Sequence, residues 1–224
     1  MLKPKRVITK KEIQRDPFLE SINKAQTHLQ EKRSNYMKMA LGLIVVLIGY
    51  IIISEKKSQS NFDASTALGQ AMVALDRGEL ENAQFQLETV INEFSGSESA
   101  EIAGYHLGKM KYESGDNNGA EIYLSQFLRN EPVDVMVSSA ALMLADISLQ
   151  VGNTKEAISF LDVGIKKSKD SHTRRIIKLE KAKLILSQGD FEGARTITDG
   201  ILSNKDVTVI EKQVAEELLG RIPG

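Results

Sequence analysis

Apolar residues recur with a helical period along most of the chain beyond residue 60. In one stretch Ile102, Tyr105 and Tyr112 are spaced three and seven residues apart, as on one face of an α-helix. A second run of this kind, from Ala120 to Leu128, follows after a short polar break. The pattern predicts two helices joined by a tight turn, which together form a helical hairpin.

The same hairpin is predicted four times, because its turn sequence Gly-x4-Ala returns with a constant period of 37 residues. The turn glycines are Gly78, Gly115, Gly152 and Gly189. Self-similarity at a period of roughly 20 to 50 residues is typical of repeat proteins. We expect each glycine to adopt a positive φ that ends the first helix, and Asp116, Asn117 or Thr154 to cap a second helix.

Small residues occupy matched positions on the two helices of every predicted hairpin. Ala71, Gly108, Ala145 and Ala182 lie seven residues before the turn glycines, and Ala83, Ala120, Ala157 and Ala194 lie five residues after them. A small side chain on each helix lets the two backbones approach closely. These positions therefore predict where the two helices of a hairpin meet.

An uncharged apolar stretch, Met39–Ile53, lies before the repeats. Extended to residues 36–54, it would span roughly 28 Å as an α-helix, close to the thickness of a bilayer core. The sequence therefore predicts a single transmembrane helix, and a cleavable signal peptide is the alternative. The long leader and the charges on Glu55, Lys56 and Lys57 favour an uncleaved anchor.

Charge is distributed unevenly around this segment. Residues 1–38 carry ten Lys and Arg against four Asp and Glu. Because basic flanks stay on the cytoplasmic side, we expect a cytoplasmic N-terminus and a periplasmic repeat domain at the inner membrane of a bacterium.

The basic leader also carries a helix signal, since Asp16-Pro17 is a typical helix start. One face of that helix would carry Phe18, Ile22, Ala25 and Leu29. We interpret it as a helix that leads into the membrane, and a docking helix for a cytoplasmic partner or a second copy is the alternative. No aromatic interleaving or known binding module indicates nucleic acid.

The predicted fold is all-α, with one transmembrane helix, about four hairpins and a C-terminal capping helix. The last helix has a capping-box pattern, Thr208-x-x-Glu211, and an apolar stripe formed by Val207, Ile210, Val214 and Leu218. The predicted segments are a basic cytoplasmic segment at 1–35, the transmembrane helix at 36–54, a linker at 55–61 and a repeat domain at 62–224, with repeats at about 64–100, 101–137, 138–174 and 175–206 and the end helix at 207–222.

The segment from residue 105 to residue 128 resembles a tetratricopeptide repeat. Leu107-Gly108, Tyr112, Gly115 and Ala120 stand on positions of that motif. The usual repeat has about 34 residues, whereas here three extra residues lie between successive hairpins. The motif tryptophan is replaced by Ala67, Gly104, Ala141 and Lys178. The resemblance implies a right-handed solenoid of stacked hairpins that binds other proteins.

Residues that could support catalysis or metal binding are sparse in the sequence. Cysteine is absent, and His28, His106 and His172 lie in different segments without the spacing of metal ligands. The sequence contains no Gly-rich phosphate loop, nucleophile elbow or HExxH motif. We therefore expect a protein that is not an enzyme and needs no cofactor or metal.

The remaining expectation is that the first helices of the hairpins bind a peptide segment of another protein. In a hairpin stack their positions i, i+3 and i+7 point into a groove, and packing between repeats is the alternative for several of the leucines. The candidate groove residues are Leu68, Met72, Ile102, Tyr105, Lys109, Tyr112, Leu142, Asp146, Leu179 and Lys183. Of these, Tyr105 and Tyr112 around Lys109 are predicted to anchor the peptide.

The layout of the whole chain is similar to that of the YfgM-type ancillary subunits of the Sec translocon, SecYEG. Shared features are Asp16-Pro17-Phe18 before a basic helix, the anchor, and about four repeats with the segment 94–100 between the first two. The resemblance implies a helper at the export channel that works with a membrane-anchored periplasmic chaperone or prolyl isomerase on exported proteins. The alternative is a structural adaptor that tethers another envelope complex, such as division, cell-wall or outer-membrane assembly machinery.

Overall fold

The computed structural model of the protein describes residues 21, 22, 26, 30, 32–130 and 133–223, apart from the side chains of residues 33, 35, 36, 52, 53 and 56. The regular elements within these residues are α-helices, without a strand among them, which confirms the predicted all-helical fold. The helices are α1 (Arg33–Asp76), α2 (Leu80–Glu93), α3 (Glu98–Glu113), α4 (Asn117–Arg129), α5 (Asp134–Gln150), α6 (Thr154–Lys167), α7 (Ser171–Ser187), α8 (Phe191–Leu202) and α9 (Val209–Gly220).

The chain divides into two compact units, Met1–Ser58 and Gln59–Gly224. In the first unit, the large apolar side chains that α1 carries from Met37 to Ile51 are more than half exposed. Counting the described residues alone, no helix combines the length and the apolar character needed to cross a membrane. The transmembrane helix expected over 36–54 thus stays a prediction. The expected helix start at Asp16 and most of its apolar face lie outside the described residues.

The second unit contains the hairpins predicted from the repeat. Helix α3 packs on α4, α5 on α6 and α7 on α8, while the end of α1 shares an apolar cluster with α2 and α3 around Ala71, Leu87 and Leu107. The first helices also contact each other, α3 with α5 and α5 with α7, and α4 contacts α6. The hairpins therefore stack in chain order, so that each hairpin buries its apolar face against its neighbours.

Every hairpin turns at the predicted glycine. The φ angles of Gly78, Gly115, Gly152 and Gly189 lie between +73° and +83°. The residue after each glycine donates its N–H to the carbonyl oxygen five residues back, as Asp116 does to Lys111 at 2.9 Å. This bond is typical of the Schellman motif, which requires a left-handed residue that glycine adopts without strain. The predicted positive φ is confirmed.

The caps of the second helices correct part of the sequence prediction. Asp116 Oδ1 accepts the N–H of Gly119 at 3.0 Å, as predicted for a capping residue. Asn117 and Thr154 do not cap, because each is the first residue inside its helix. In the third hairpin the cap is Asn153, one residue before Thr154. In the last three hairpins the cap is thus the residue directly after the turn glycine, where the backbone has not yet become helical. In the first hairpin Glu79 occupies this position without a side-chain cap bond.

The small residues at matched positions confirm the predicted close approach of the two helices. All eight are buried, and Ala71, Ala83, Ala120, Ala157, Ala182 and Ala194 are fully inaccessible to solvent. Gly108 shows how close the backbones come, because a Cβ atom added to it would lie 2.8 Å from Leu124 Cγ. Even an alanine at this position would therefore need the helices to move apart.

Polar contacts fasten the joins between hairpins, where the extra residues of the long repeat lie. Asp134, the first residue of α5, accepts the backbone N–H groups of Lys169 and Asp170 at 2.6 and 2.8 Å. Lys167 Nζ, at the end of α6, donates to the carbonyl oxygens of Arg129 and Asn130 at 2.8 and 2.7 Å. These bonds join groups that are about one repeat apart in sequence.

The end helix α9 begins with the predicted capping box. Thr208 Oγ1 accepts the N–H of Glu211 at 3.2 Å, and Glu211 Oε2 accepts the N–H of Thr208 at 2.8 Å. Three residues of the predicted stripe are confirmed, since Leu218 is buried and Val207 and Val214 pack against the same apolar cluster. Ile210 is the exception, because it is 74% exposed whereas the neighbouring Glu211 is buried. The reason is a charge pair between Glu211 and Arg175 of α7, which turns the glutamate inward and Ile210 outward.

Candidate binding groove

A groove of about 700 Å³ opens between α3, α5 and α7. Its surface is mostly apolar, with a few charged and hydroxyl groups. The lining residues are Tyr112, Ser138, Ser139, Leu142, Met143, Ala145, Asp146, Leu149, Leu161, Glu180, Lys183, Leu184 and Ser187. Four of the residues predicted from the sequence, Tyr112, Leu142, Asp146 and Lys183, are therefore brought together here.

One side of the groove is held by a chain of hydrogen bonds between neighbouring repeats. Tyr112 Oη donates to Asp146 Oδ2 at 2.7 Å, and Gln150 Nε2 donates to the same oxygen at 2.7 Å. Asn117 Nδ2 in turn donates to Gln150 Oε1 at 2.8 Å. The hydrogen bond to Asp146, aided by burial and by the negative charge, raises the pKa of the Tyr112 hydroxyl. The bonds fix the Asp146 carboxylate relative to both hairpins.

The rest of the lining combines apolar side chains with one exposed ion pair. Leu142 and Leu184 are half-buried, and Leu149 is 40% exposed, so each offers apolar surface to the groove. Lys183 Nζ lies 3.8 Å from Glu180 Oε2, and the two side chains are 64% and 44% exposed. Such a pair contributes little to stability and can exchange partners readily. The groove thus offers apolar surface beside groups that can form hydrogen bonds and ion pairs.

The tetratricopeptide repeat-like domain family matches the chain over residues 30–196, which is most of its length. The chain belongs to this family. A search of curated proteins gave no match to the chain. A tetratricopeptide repeat-like domain indicates a module for protein–protein interaction. The groove on the first helices of the repeats is a candidate surface for that interaction.

Within this tetratricopeptide repeat-like domain, Tyr105 is a core residue rather than a groove residue. Its side chain is only 7% exposed, and its ring centroid lies 5.4 Å from that of Phe127 and 5.2 Å from that of His106. Burial, followed by the charge of Lys109, lowers the pKa of the His106 imidazole. The expectation that Tyr105 and Tyr112 form a pair of anchors around Lys109 is therefore corrected, because only Tyr112 lines the groove.

The other predicted site residues lie outside the groove between α3, α5 and α7. Leu179 is 6% exposed and belongs to the apolar cluster under α9. Leu68 packs against the cluster between the first two hairpins. Lys109 is exposed and pairs with Glu113 at 3.7 Å on its own helix. Met72 and Ile102 are half-buried elsewhere on α1 and α3.

Several lining residues were missed by the sequence analysis, although the repeat register contains the signal for one of them. Leu149 stands 37 residues after Tyr112, so it occupies the equivalent position of the next repeat. Leu184 and Glu180 were missed because each lies one residue after a predicted groove position, Lys183 and Leu179 respectively. They reach the groove only because α7 is the next first helix along the stack.

A second polar cluster, which joins α7 to α9, was also missed. Glu211 Oε1 accepts from Arg175 Nε at 2.8 Å and lies 3.0 Å from His172 Nδ1, and Arg175 also donates to the carbonyl oxygen of Asp206. Burial alone would raise the pKa of Glu211, but bonds from Arg175 and Thr208 outweigh it and lower the pKa to about 2. No group of three or more potential metal ligands occurs among the residues that the structure describes.

Proposed function

We propose that this protein is a membrane-anchored interaction module that holds a segment of another protein in the groove between α3, α5 and α7. The observation that carries the proposal is the meeting of Tyr112, Leu142, Asp146 and Lys183 around one mostly apolar groove. Its volume falls in the range of about 300–1,000 Å³ that is usual for binding pockets. A few side chains of a peptide fill such a space. The protein acts by binding, without catalysis.

The membrane anchor in this proposal is the segment 36–54. Its support is the uncharged run Met39–Ile53 and the exposure of apolar side chains along this part of α1, among them Met39, Val46 and Tyr50 at 70% each. A helix that is apolar on all sides is typical of a membrane span. The family match begins at residue 30 and thus includes the segment. Basic residues before it favour a cytoplasmic N-terminus and a periplasmic repeat domain at the inner membrane.

The anchor is tested by fractionation of bacteria that express the full-length chain. The protein should stay in the membrane fraction after an alkaline carbonate wash, and protease should digest the repeats only after the outer membrane is opened. A soluble form that begins near Asn61 would instead indicate a cleaved signal peptide.

The partner in this proposal is the protein-export machinery. The support is the similarity of the chain's layout to the YfgM-type ancillary subunits of the Sec translocon. On this basis the groove assists exported proteins as they emerge, next to a membrane-anchored chaperone or prolyl isomerase.

Site-specific photo-crosslinking in the native membrane, read by mass spectrometry, tests this function. A crosslinking amino acid at Leu149 would report on the groove, and the same amino acid at Val163 on α6 is a matched control, since both side chains are similarly exposed. We expect Leu149 to capture translocon subunits and many exported proteins, and Val163 to capture neither. Equal capture from both positions would contradict the proposed role of the groove.

A structural adaptor for another envelope complex is the second candidate. Phe85 and Ile122, 37 residues apart, are 70% and 61% exposed on the second helices α2 and α4. Two large apolar side chains at equivalent, exposed positions favour a partner that spans two repeats outside the groove. Crosslinks from Phe85 to one stable set of envelope proteins, without exported clients, would support the adaptor.

A further inference from the structure

The groove contains a carboxylate that is fixed in place but only partly used. Asp146 Oδ2 accepts hydrogen bonds from Tyr112 and Gln150, at 2.7 Å each, whereas Oδ1 accepts none from the described residues. Both donors are neutral, and no cation pairs with Asp146 in the described part of the chain. We infer that Asp146 selects partner segments in which a lysine or arginine stands beside apolar residues. This inference rests on the proposed binding of a protein segment in the groove.

The hydrogen-bond chain explains why Asp146 is suited to this role. An ionised carboxylate has about four acceptor sites, and the bonds from Tyr112 and Gln150 occupy two of them on a single oxygen. These bonds hold the Asp146 side chain in one rotamer. Binding of a ligand therefore does not incur the entropic cost of ordering that side chain. The remaining oxygen keeps its negative charge available. A cationic donor is the group that binds such an oxygen most strongly.

The surroundings of Asp146 favour a basic residue that is attached to an apolar segment. Leu142, Leu149 and Leu184 provide apolar surface in the same groove. The Tyr112 ring, whose hydroxyl touches the carboxylate, offers a face for the methylene stem of a lysine or arginine. A free cation would use the carboxylate alone, whereas a peptide would use both kinds of surface.

The charge of the groove opposes an acidic partner. The lining contains Asp146, Glu180 and Lys183, so its net charge is negative. Lys183 is the single cation among these lining residues, and Glu180 at 3.8 Å offsets it. An acidic segment would have to displace this pair and approach Asp146 against repulsion.

A binding experiment with matched peptides tests the inference on the full-length chain in detergent micelles. The probe is a short fluorescent peptide with leucines and a single lysine. Two matched peptides carry norleucine or glutamate in place of the lysine. Fluorescence anisotropy measures the dissociation constants for the native protein, for Asp146→Asn and for Asp199→Asn. The asparagine at 146 keeps an oxygen for Tyr112 and Gln150 but loses the charge. Asp199 is an exposed control outside the groove.

The expected result is that the native protein binds the lysine peptide about fivefold more tightly than the norleucine peptide, which is the size of a partly exposed charge interaction. Asp146→Asn should remove this preference, so that the variant binds the lysine and norleucine peptides equally, while Asp199→Asn retains the preference. Circular dichroism and the melting temperature check that both variants are folded.

Two outcomes would overturn the inference and leave the proposed groove intact. One is equal binding of the lysine and norleucine peptides by the native protein, and the other is a lysine preference that survives Asp146→Asn. Tighter binding of the glutamate peptide would also overturn it, in favour of an acidic partner. If none of the peptides binds, the proposed function of the groove fails as well.

Discussion

Two carboxylates of the repeat domain, Asp146 in the groove and Glu211 at the junction of α7 and α9, have opposite surroundings. Glu211 is 3% exposed, and both of its oxygens accept hydrogen bonds, one of them from the buried guanidinium of Arg175. Asp146 is half-buried, has neutral partners only, and keeps one oxygen without a partner in the described residues. The first site is closed and serves stability. The second has an unused acceptor, which we propose binds a partner.

The comparison shows how a repeat array can use the same chemical group in two ways. The apolar end of the last repeat is covered by α9, and the charge pair between Arg175 and Glu211 fixes the orientation of that helix. In the middle of the array the first helices are already packed on both sides. A carboxylate there is free to face a partner.

Removal of the Glu211 carboxylate should give the largest difference between the two sites. Glu211→Ala leaves the guanidinium of Arg175, 6% exposed, without its charged partner. Breaking a buried pair in this way lowers the free energy of unfolding by roughly 3–5 kcal/mol. Urea denaturation followed by circular dichroism measures the loss.

Two variants serve as controls for that measurement. Glu216→Ala removes an exposed carboxylate paired with Lys212 at 3.7 Å and should cost less than about 1 kcal/mol. Asp146→Ala should cost clearly less than Glu211→Ala. Equal losses at positions 146 and 211 would mean that the two carboxylates do not differ in role.

Acid should weaken the closed site through the low pKa of Glu211. The pKa is about 2 in the folded protein against 4.5 for the free side chain. A depressed pKa stabilises the fold fully above pH 4.5, and this contribution is lost as the pH falls from there towards 2. The contribution amounts to roughly 3 kcal/mol. Urea denaturation near neutral pH and at about pH 3 should show part of this decrease in the free energy of unfolding. Glu211→Gln has no carboxylate at this position and should not show this part of the decrease. The same acid dependence in both proteins would contradict the assignment.

A smaller effect is expected from the framework that positions the groove. Gly108→Ala places a Cβ atom 2.8 Å from Leu124 Cγ in the fully buried seam between α3 and α4. Overpacking of this kind lowers the free energy of unfolding by about 1–3 kcal/mol. Gly104→Ala in the same helix has nothing within 4 Å and should raise stability by up to about 1 kcal/mol. The melting temperature should fall for Gly108→Ala and rise for Gly104→Ala. A shift of both melting temperatures in the same direction would be inconsistent with the close contact.

The smallest effect should come from the hydroxyl that holds Asp146. Tyr112→Phe removes one hydrogen bond to the carboxylate and should cost about 1 kcal/mol of stability. Tyr123→Phe is the control, because its hydroxyl has no hydrogen-bond partner among the described residues. If Tyr112→Phe melts like the native protein, the hydroxyl does not stabilise the junction of the second and third hairpins.

The sequence was sufficient for the features that depend on neighbouring residues. A positive φ at Gly115 and the cap by Asp116 follow from local backbone chemistry, and the fully buried Ala120 follows from a period that repeats four times. The register of the hairpins could be predicted for the same reason, since each repeat confirms the next.

Features that depend on contacts between distant helices could not be predicted in this way. Tyr105 and Leu142 occupy equivalent positions in successive repeats, yet the first is in the core and the second lines the groove. Which of them faces solvent depends on the neighbours above and below in the stack. Glu211 is buried against expectation, because its partner Arg175 lies on another helix, 36 residues away in the chain.

The polar contacts between successive hairpins affect how the repeat array unfolds. Asp134 holds the backbone amides of Lys169 and Asp170, and Lys167 holds the carbonyl oxygens of Arg129 and Asn130. In a linear array, unfolding is cooperative only to the extent that neighbouring repeats are coupled. These bonds add, across the longer joins of a 37-residue repeat, to the coupling that the buried apolar contacts between hairpins provide. The second, third and fourth hairpins should therefore lose their protection against amide hydrogen exchange together, instead of fraying one at a time.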